Sequence, residues 1–201
     1  PMPSGNLPSF FEHDDYIIDE KISGFKFTNA YRVYDANGTE IGAIQQRMSG
    51  GQKLLRMLVD KRMLPFILEI LDEQGNVLAT VKRGTTLFFS KISVLDAQGQ
   101  GIARILQKFS ILKPRFELTD HLGQTIGAIA GDWKGWNFVI TDASGQEIGA
   151  INKKWNGAMK ELFTTADKYH VSIHPEVAED AAKIVIVAAA ITVDMVLKES
   201  N

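Results

Sequence analysis

The motif Asp-x-x-Gly recurs five times along this chain of 201 residues, and no other feature of the sequence limits the possible folds as strongly. On both sides of each copy, apolar residues alternate with polar ones, as they do in half-buried β-strands. The Asp side chain favours a turn, and the Gly accepts the positive φ that closes it. Each copy therefore predicts a β-hairpin in which the Asp is structural rather than catalytic. The copies are Asp35–Gly38, Asp72–Gly75, Asp96–Gly99, Asp120–Gly123 and Asp142–Gly145.

Each copy is followed, at fixed distances, by an apolar residue and then by a very small one. The apolar residue stands six positions after the Asp, at Ile41, Leu78, Ile102, Ile126 and Ile148. The small residue comes directly after it, at Gly42, Ala79, Ala103, Gly127 and Gly149. A residue this small within a strand indicates a close neighbour, such as a core element or a bend of the strand.

The hairpins supply ten strands, and the stretches Tyr16–Ile22 and Lys168–Ile173 alternate in the same way and supply two more. A sheet of this size closes or splits so that it has no exposed edge strands. We therefore predict a mainly β fold, a closed antiparallel barrel of about twelve strands. Side chains alone fill the interior of such a wide barrel poorly, so a further element must occupy it.

The C-terminal segment, about residues 176–198, is the candidate for this interior element. Pro175 and Glu176 favour a helix start, and Ile184–Val193 is apolar on every face, as a fully buried helix must be. The many β-branched residues would suit a strand equally well, but the length without turn residues and the run Ala188–Ala190 favour a helix. The uncharged run is too short for a membrane span of about 20 residues, so a buried core helix is expected.

Composition excludes several classes of protein. The chain has no cysteine, which excludes disulfides, thiolate catalysis and cysteine-ligated metal sites. A net charge of -2 disfavours a dedicated nucleic-acid binder. The sequence has neither a phosphate-binding Gly-rich loop with Lys nor a Gly-x-Ser-x-Gly motif, so we predict no enzymatic activity. Residues 1–15 are expected to be a flexible arm without a secretory signal, and residues 16–199 a single domain of a cytoplasmic protein.

Three stretches of the sequence carry a resemblance to known families: Tyr31–Ile44, Ile151–Val171 and Ala190–Glu199. The second holds Lys153, Lys154, Trp155, Glu161 and Asp167 in the families' order. With the repeat, they resemble the phospholipid scramblase and LURP-one-related families, which share the tubby C-terminal-like fold. The resemblance covers about residues 16–199 and implies a twelve-stranded barrel around a central C-terminal helix.

The resemblance also implies a calcium segment between the last strand and the helix. Here that stretch has four acids, Asp167, Glu176, Glu179 and Asp180. Carboxylates are suitable Ca²⁺ ligands, but Thr165 stands where the families have an acid, and three of the four also fit a helix start that complements the helix dipole. We therefore expect little effect of sub-millimolar Ca²⁺, and no other cofactor is indicated.

A basic and apolar segment joins the first two repeats. Between positions 47 and 62 it has five cations against Asp60, a net charge of +4, with Leu and Met residues between them. Such a segment suits an anionic lipid surface, although an ordinary strand with a solvated cationic face would have the same pattern. The scramblases' cysteine-rich palmitoylated segment has no counterpart in Arg56–Phe66. The candidate lipid-surface residues are Arg47, Lys53, Arg56, Lys61 and Arg62.

Tryptophan and histidine residues are further candidates for a site. Trp133, Trp136 and Trp155 could anchor the chain at a membrane interface, but core packing is the preferred interpretation. His170 and His174 are four residues apart in an alternating stretch that predicts a strand, so they are expected to be surface residues rather than a metal pair.

Two functions remain open at this point. The first is a non-enzymatic, scramblase-related protein that associates with membrane phospholipids, peripherally at an anionic surface, with lipid scrambling implied only by the resemblance. The second is a LURP-one-like binding scaffold that recognises a protein or a small ligand on the barrel. The sequence indicates neither a nucleic-acid partner nor a particular protein partner.

Overall fold

The computed structural model describes residues 9–21, 30–47, 64–84, 91–108, 114–132, 134–153, 168–177 and 180–199. A short 3-10 helix, Ser9–Glu12, precedes the strands, and a helix, α1 (Asp180–Glu199), follows them. The strands are β1 (Asp15–Lys21), β2 (Ala30–Tyr34), β3 (Glu40–Arg47), β4 (Phe66–Asp72), β5 (Val77–Arg83), β6 (Lys91–Asp96), β7 (Gly101–Lys108), β8 (Arg115–Asp120), β9 (Thr125–Asp132), β10 (Asn137–Asp142), β11 (Glu147–Asn152) and β12 (Lys168–Ile173).

Each strand pairs antiparallel with its neighbours along the chain, and β1 pairs with β12 to close the barrel. The predicted fold class, a closed antiparallel barrel around a C-terminal helix, is confirmed. This topology gives the barrel two distinct ends. The five Asp-x-x-Gly turns lie at one end, which we call the turn end. The connections between successive hairpins leave from the opposite end, which we call the linker end.

The Asp of each repeat has the structural role that the sequence predicts. In the first turn, Asp35 Oδ1 accepts hydrogen bonds from the backbone N–H groups of Asn37 and Thr39, both at 2.9 Å. Gly38 closes this turn with a φ of 82°. The same pair of bonds, from the residues two and four positions after the Asp, recurs in the other four turns.

The apolar and small residues that follow each turn form a β-bulge. In β2 and β3, Val33 pairs with Gly42 but Tyr34 pairs with Glu40, so Ile41 is the additional residue. The neighbouring strand lies so close that a Cβ atom on Gly42 would overlap the carbonyl oxygen of Leu71. The predicted close neighbour at the small position is therefore the backbone of the adjacent strand.

Helix α1 occupies the barrel interior, as predicted. It enters at the turn end, and the side chains of Val187, Ala188, Ala189, Ala190 and Ile191 have no solvent exposure. The helix begins later than predicted, at Asp180 rather than near residue 176. The reason is local: Pro175 and Glu176 lie in a turn in which the N–H of Val177 donates to the carbonyl of His174.

Part of the predicted N-terminal arm packs against the barrel. Phe10 and Phe11 are buried, and the Tyr16 hydroxyl donates to the carbonyl of Phe10 at 2.9 Å. Lys183 of α1 donates through Nζ to the carbonyl of His13 and to Asp14 Oδ1, each at 2.9 Å. These bonds join the start of the chain to the entrance of the helix.

The helix position predicts a strong dependence on the side chains inside the barrel. Val187→Asp would place an uncompensated carboxylate at a fully buried position and should lower the free energy of unfolding by about 4 kcal/mol or more. The matched control is Val139→Asp, because Val139 is 42% exposed on the outside of β10. Urea unfolding followed by circular dichroism measures both. Similar losses for the two variants would contradict the interior position of α1.

Candidate functional site

The linker end carries most of the positive charge of the described residues. Its acids are fewer, and two of them are paired with cations: Glu117 with Lys108 at 3.0 Å and Asp19 with Lys168 at 3.8 Å. The Lys108 ammonium lowers the pKa of Glu117. Glu20 and Asp132 also lie near this end. The cations at the linker end whose side chains the structure describes are Arg47, Lys82, Arg83, Lys91, Lys108, Arg115, Lys134, Lys153 and Lys168.

The turn end is acidic, because every repeat places an Asp there. A hydrogen bond from Asn76 lowers the pKa of Asp72, and one from Ser144 lowers that of Asp142, so both remain ionised at neutral pH. The acids that the structure describes at this end include Asp14, Asp15, Asp35, Glu40, Asp72, Glu73, Asp96, Asp120, Asp142, Glu147 and Glu176. Positive and negative charge are therefore separated along the barrel, which creates a field along its length.

Of the predicted lipid-surface residues, the structure describes Arg47. Its Nε donates to Glu69 Oε1 at 2.9 Å, but 72% of the Arg47 side chain is exposed, against 10% for Glu69. Arg47 ends β3 at the linker end. Lys53, Arg56, Lys61 and Arg62 lie outside the described residues. The segment that holds them therefore begins and ends at the same end of the barrel as the other cations.

Arg83 has a different role from the exposed cations of the linker end. It is buried, and its Nε and Nη2 donate to the carbonyl oxygen of Leu64 at 3.1 and 2.7 Å. Its guanidinium also lies 4.6 Å from the ring centroid of Phe66. These contacts fix the position at which the chain returns from the basic segment to β4.

A polar cluster lies inside the barrel near the linker end. The Tyr31 hydroxyl donates to Oδ2 of Asp194, a buried residue of α1, at 2.9 Å. The Tyr169 hydroxyl is also buried and finds no hydrogen-bond partner in the described part of the chain. Burial, and then the negative charge of Asp194, raise the pKa of both tyrosines well above the usual value. Both hydroxyls therefore stay protonated, and Tyr31 remains a donor to the helix.

The two histidines do not form a metal pair, but the expectation that both lie on the surface is wrong for His170. This residue is 7% exposed, and its Nε2 lies 2.7 Å from Asp15 Oδ1 across the seam between β12 and β1. Burial lowers the pKa of His170, and the bond with Asp15 opposes that effect. His174 follows β12 and lies 3.9 Å from Glu147.

The predicted calcium residues are described only in part. Glu176 is exposed in the turn before α1, and Asp180 begins the helix. Asp167 and Glu179 lie outside the described residues, so the calcium hypothesis stays a prediction. Within the ranges that the structure covers, no group of three or more His, Asp or Glu side chains could hold a metal ion.

Trp136 packs in the way that the preferred interpretation predicts. Its ring stacks on Tyr169 with centroids 5.7 Å apart and meets Phe138 edge-on at 5.9 Å. Lys153 Nζ lies 4.5 Å from the centroid of the Trp136 ring, a cation–π arrangement. Trp136 therefore belongs to the wall at the linker end, whereas Trp133 and Trp155 lie outside the described residues.

Comparison with known proteins agrees with this architecture. The model of the Scramblase family matches residues 17–200. The chain is also similar to an X-ray structure of a protein from Arabidopsis thaliana, with a TM-score of 0.56 and 12% identity over 94% of this chain and 99% of that one. At this identity the likeness concerns the fold alone.

A curated relative is similar over a shorter stretch. Altered inheritance rate of mitochondria protein 25 from Saccharomyces cerevisiae is 29% identical over 72 residues, which are 36% of this chain. The matched stretch is 22% of that protein, so the comparison covers about a fifth of the relative's length.

The fold defines a class of proteins, closed twelve-stranded barrels built around a C-terminal helix, and the resemblance seen in the sequence is confirmed. Because the family model covers most of the barrel and the helix, the chain belongs to the Scramblase family. None of the helices in the described ranges combines the length and apolar character needed to traverse a bilayer.

The two buried tyrosines provide a test of the polar cluster. Tyr31→Phe removes the donor to Asp194 and should lower the free energy of unfolding by about 1–3 kcal/mol. Tyr169→Phe removes a buried hydroxyl without a described partner and should leave stability unchanged or raise it. Urea unfolding of the two variants makes the comparison, and a larger loss for Tyr169→Phe would contradict the arrangement of the cluster.

Proposed function

We propose that this protein is a non-enzymatic member of the Scramblase family that associates peripherally with anionic phospholipid surfaces through its linker end. The observation that carries the proposal is the separation of charge along the barrel, with exposed cations such as Lys82, Lys91 and Arg115 at one end and the acids of the turns at the other. A negative membrane surface attracts the first end and repels the second, so it orients the barrel as well as binding it.

The basic segment between β3 and β4 supports the same orientation. Arg47 precedes it and Arg83 holds its return at Leu64, so it is tethered twice at the linker end. Its interleaved leucines and methionines would add apolar contact with the lipid to the charge of Lys53, Arg56, Lys61 and Arg62. The segment and the end of the barrel therefore form one proposed membrane-facing surface.

A matched pair of arginines tests the role of position. Arg115→Gln removes an exposed cation from the linker end of β8 and should weaken binding to phosphatidylserine-containing vesicles about fivefold, since one cation near the surface contributes about 1 kcal/mol. Arg104→Gln removes an exposed cation from the middle of the neighbouring strand β7, where Arg104 lies opposite Thr119 of β8, and should have little effect. Vesicle pelleting measures both variants, and equal losses would contradict the proposed surface.

Two multiple variants extend this test. Joint replacement of Lys82, Lys91 and Arg115 by Gln should weaken binding about a hundredfold, and replacement of Lys53, Arg56, Lys61 and Arg62 by Ser should abolish it. The melting temperatures of the variants should stay near that of the unmodified protein. High salt should weaken vesicle binding by the unmodified protein, as removal of the cations does. Undiminished pelleting of both variants, or equal pelleting with phosphatidylcholine alone, would contradict the proposal.

Lipid scrambling is a separate step beyond association. A buried α1 cannot act as an ordinary membrane anchor, and its departure would leave a large apolar cavity in the barrel at a cost of several kcal/mol for each large side chain. We therefore propose association with the barrel intact. Dithionite quenching of fluorescent phospholipid in the same vesicles measures scrambling independently of pelleting.

A further inference from the structure

The five bulge residues of the repeat are equivalent in sequence but not in surroundings. Ile41 and Leu78 are buried, and on this side the Phe10 ring of the N-terminal 3-10 helix lies against Gly42. On the opposite side, Ile102 and Ile148 are only partly buried, and 38% of Ile126 is exposed. The ring of apolar bulge residues at the turn end is therefore covered on one side and open on the other.

A cleft of about 700 Å³ lies on the open side. Its apolar floor joins the bulge residues Ile102, Ile126 and Ile148 to Leu118 of β8 and to Val185 and Ile186 of α1. The volume lies within the range of about 300–1,000 Å³ that is typical of ligand sites. Leu122, in the same turn as Asp120, is 72% exposed. The volume and the apolar lining suit a flexible alkyl chain.

The rim of the cleft is negatively charged. Asp120, Asp142 and Glu176 line it together with Gln146 and His174. In the turns of Asp120 and Asp142, Oδ1 of the Asp accepts hydrogen bonds from backbone N–H groups, so the carboxylates are held in place. Helix α1 begins nearby, but the positive partial charge of a helix N-terminus, about half an elementary charge, is smaller than that of three carboxylates. The rim therefore favours a cationic group.

We propose that this cleft binds an amphiphile with a single alkyl chain and a cationic amine head group. The chain lies between the bulge residues and α1, and the amine lies among Asp120, Asp142 and Glu176. The site is at the opposite end of the barrel from the proposed membrane surface. Bound to a membrane through the linker end, the protein would present this cleft to the aqueous phase.

Three small probes separate the contributions of chain and head group. Titration calorimetry below the critical micelle concentrations should show one decylammonium ion bound per protein molecule. Decanoate, with the opposite head-group charge, should bind about tenfold more weakly. Butylammonium, which has six fewer methylenes to bury, should bind weaker by a factor of about a hundred or more.

The repeat offers a matched control for the rim. The rim variant combines Asp120→Asn, Asp142→Asn and Glu176→Gln, and Asn retains the Oδ1 acceptor that the turns require. It should lose about tenfold in affinity for decylammonium and discriminate less against decanoate. The control variant, Asp72→Asn with Asp96→Asn and Glu73→Gln, makes the same changes in turns that do not line the cleft and should bind normally.

Ala182 lines the cleft on the helix and allows a test of the floor. Ala182→Phe should weaken the binding of decylammonium and of decanoate to the same extent. A cooperative melting transition would show that this variant is folded. Ile126→Ser, on the strand side, provides a second variant with the same expectation.

Equal decylammonium affinity in the rim and control variants, or non-saturable binding, would overturn the proposal. It would also be overturned if a Leu- and Lys-rich peptide bound in the cleft while decylammonium did not. Because these variants leave the linker end unchanged, failure here is distinguishable from failure of vesicle binding.

Discussion

The filling of the barrel by α1 is the constraint on which the rest of the structure depends. Twelve strands enclose more space than their own inward side chains occupy, and an unfilled apolar interior would be costly. The helix meets this requirement because its central residues are apolar on every face and include the small Ala188–Ala190. Among its described residues, Thr192 donates its hydroxyl to the Ala188 carbonyl within the helix, and the charged residues lie nearer the two ends. Lys183 donates to Asp14 and the His13 carbonyl at the turn end, and Asp194 accepts a hydrogen bond from the Tyr31 hydroxyl near the linker end.

The repeat that builds the wall also determines the electrostatics. Each hairpin needs an Asp to hold its turn, and the barrel topology gathers all five turns at one end. The linker end has no turn of this kind that needs an Asp, and lysine and arginine predominate there among the described residues. A nearly neutral chain thus becomes a barrel with one acidic and one basic end. The proposed membrane orientation and the proposed amine site are consequences of the same topology.

Much of the fold could be predicted from the sequence because its signals are local. Turn residues, the alternation around them and the apolar run Ile184–Val193 lie within short windows and indicate hairpins and a buried helix without knowledge of the whole. The start of α1 was predicted too early, because the turn at His174–Val177 competes with the helix for Pro175 and Glu176. His170 is buried only because β12 pairs with β1, which is distant in sequence.

The candidate site was less predictable for the same reason. Arg47 belongs to a local run of cations, but Lys82, Lys91 and Arg115 are isolated in the sequence and meet only when the barrel closes. The sequence signal that could have placed them together is that each lies about one strand length from an Asp-x-x-Gly turn. The cleft was not predictable, since the five bulge positions look alike until the N-terminal segment covers one side.

The most direct test of the account is the orientation of the barrel on a membrane. The chain has no cysteine, so Asn137→Cys and Ala143→Cys place single fluorophores at the linker end and the turn end of β10, about 20 Å apart. With phosphatidylserine vesicles that carry a lipid quencher, the account predicts strong quenching at position 137 and little at position 143. Equal quenching at the two positions, or stronger quenching at 143, would contradict binding through the linker end.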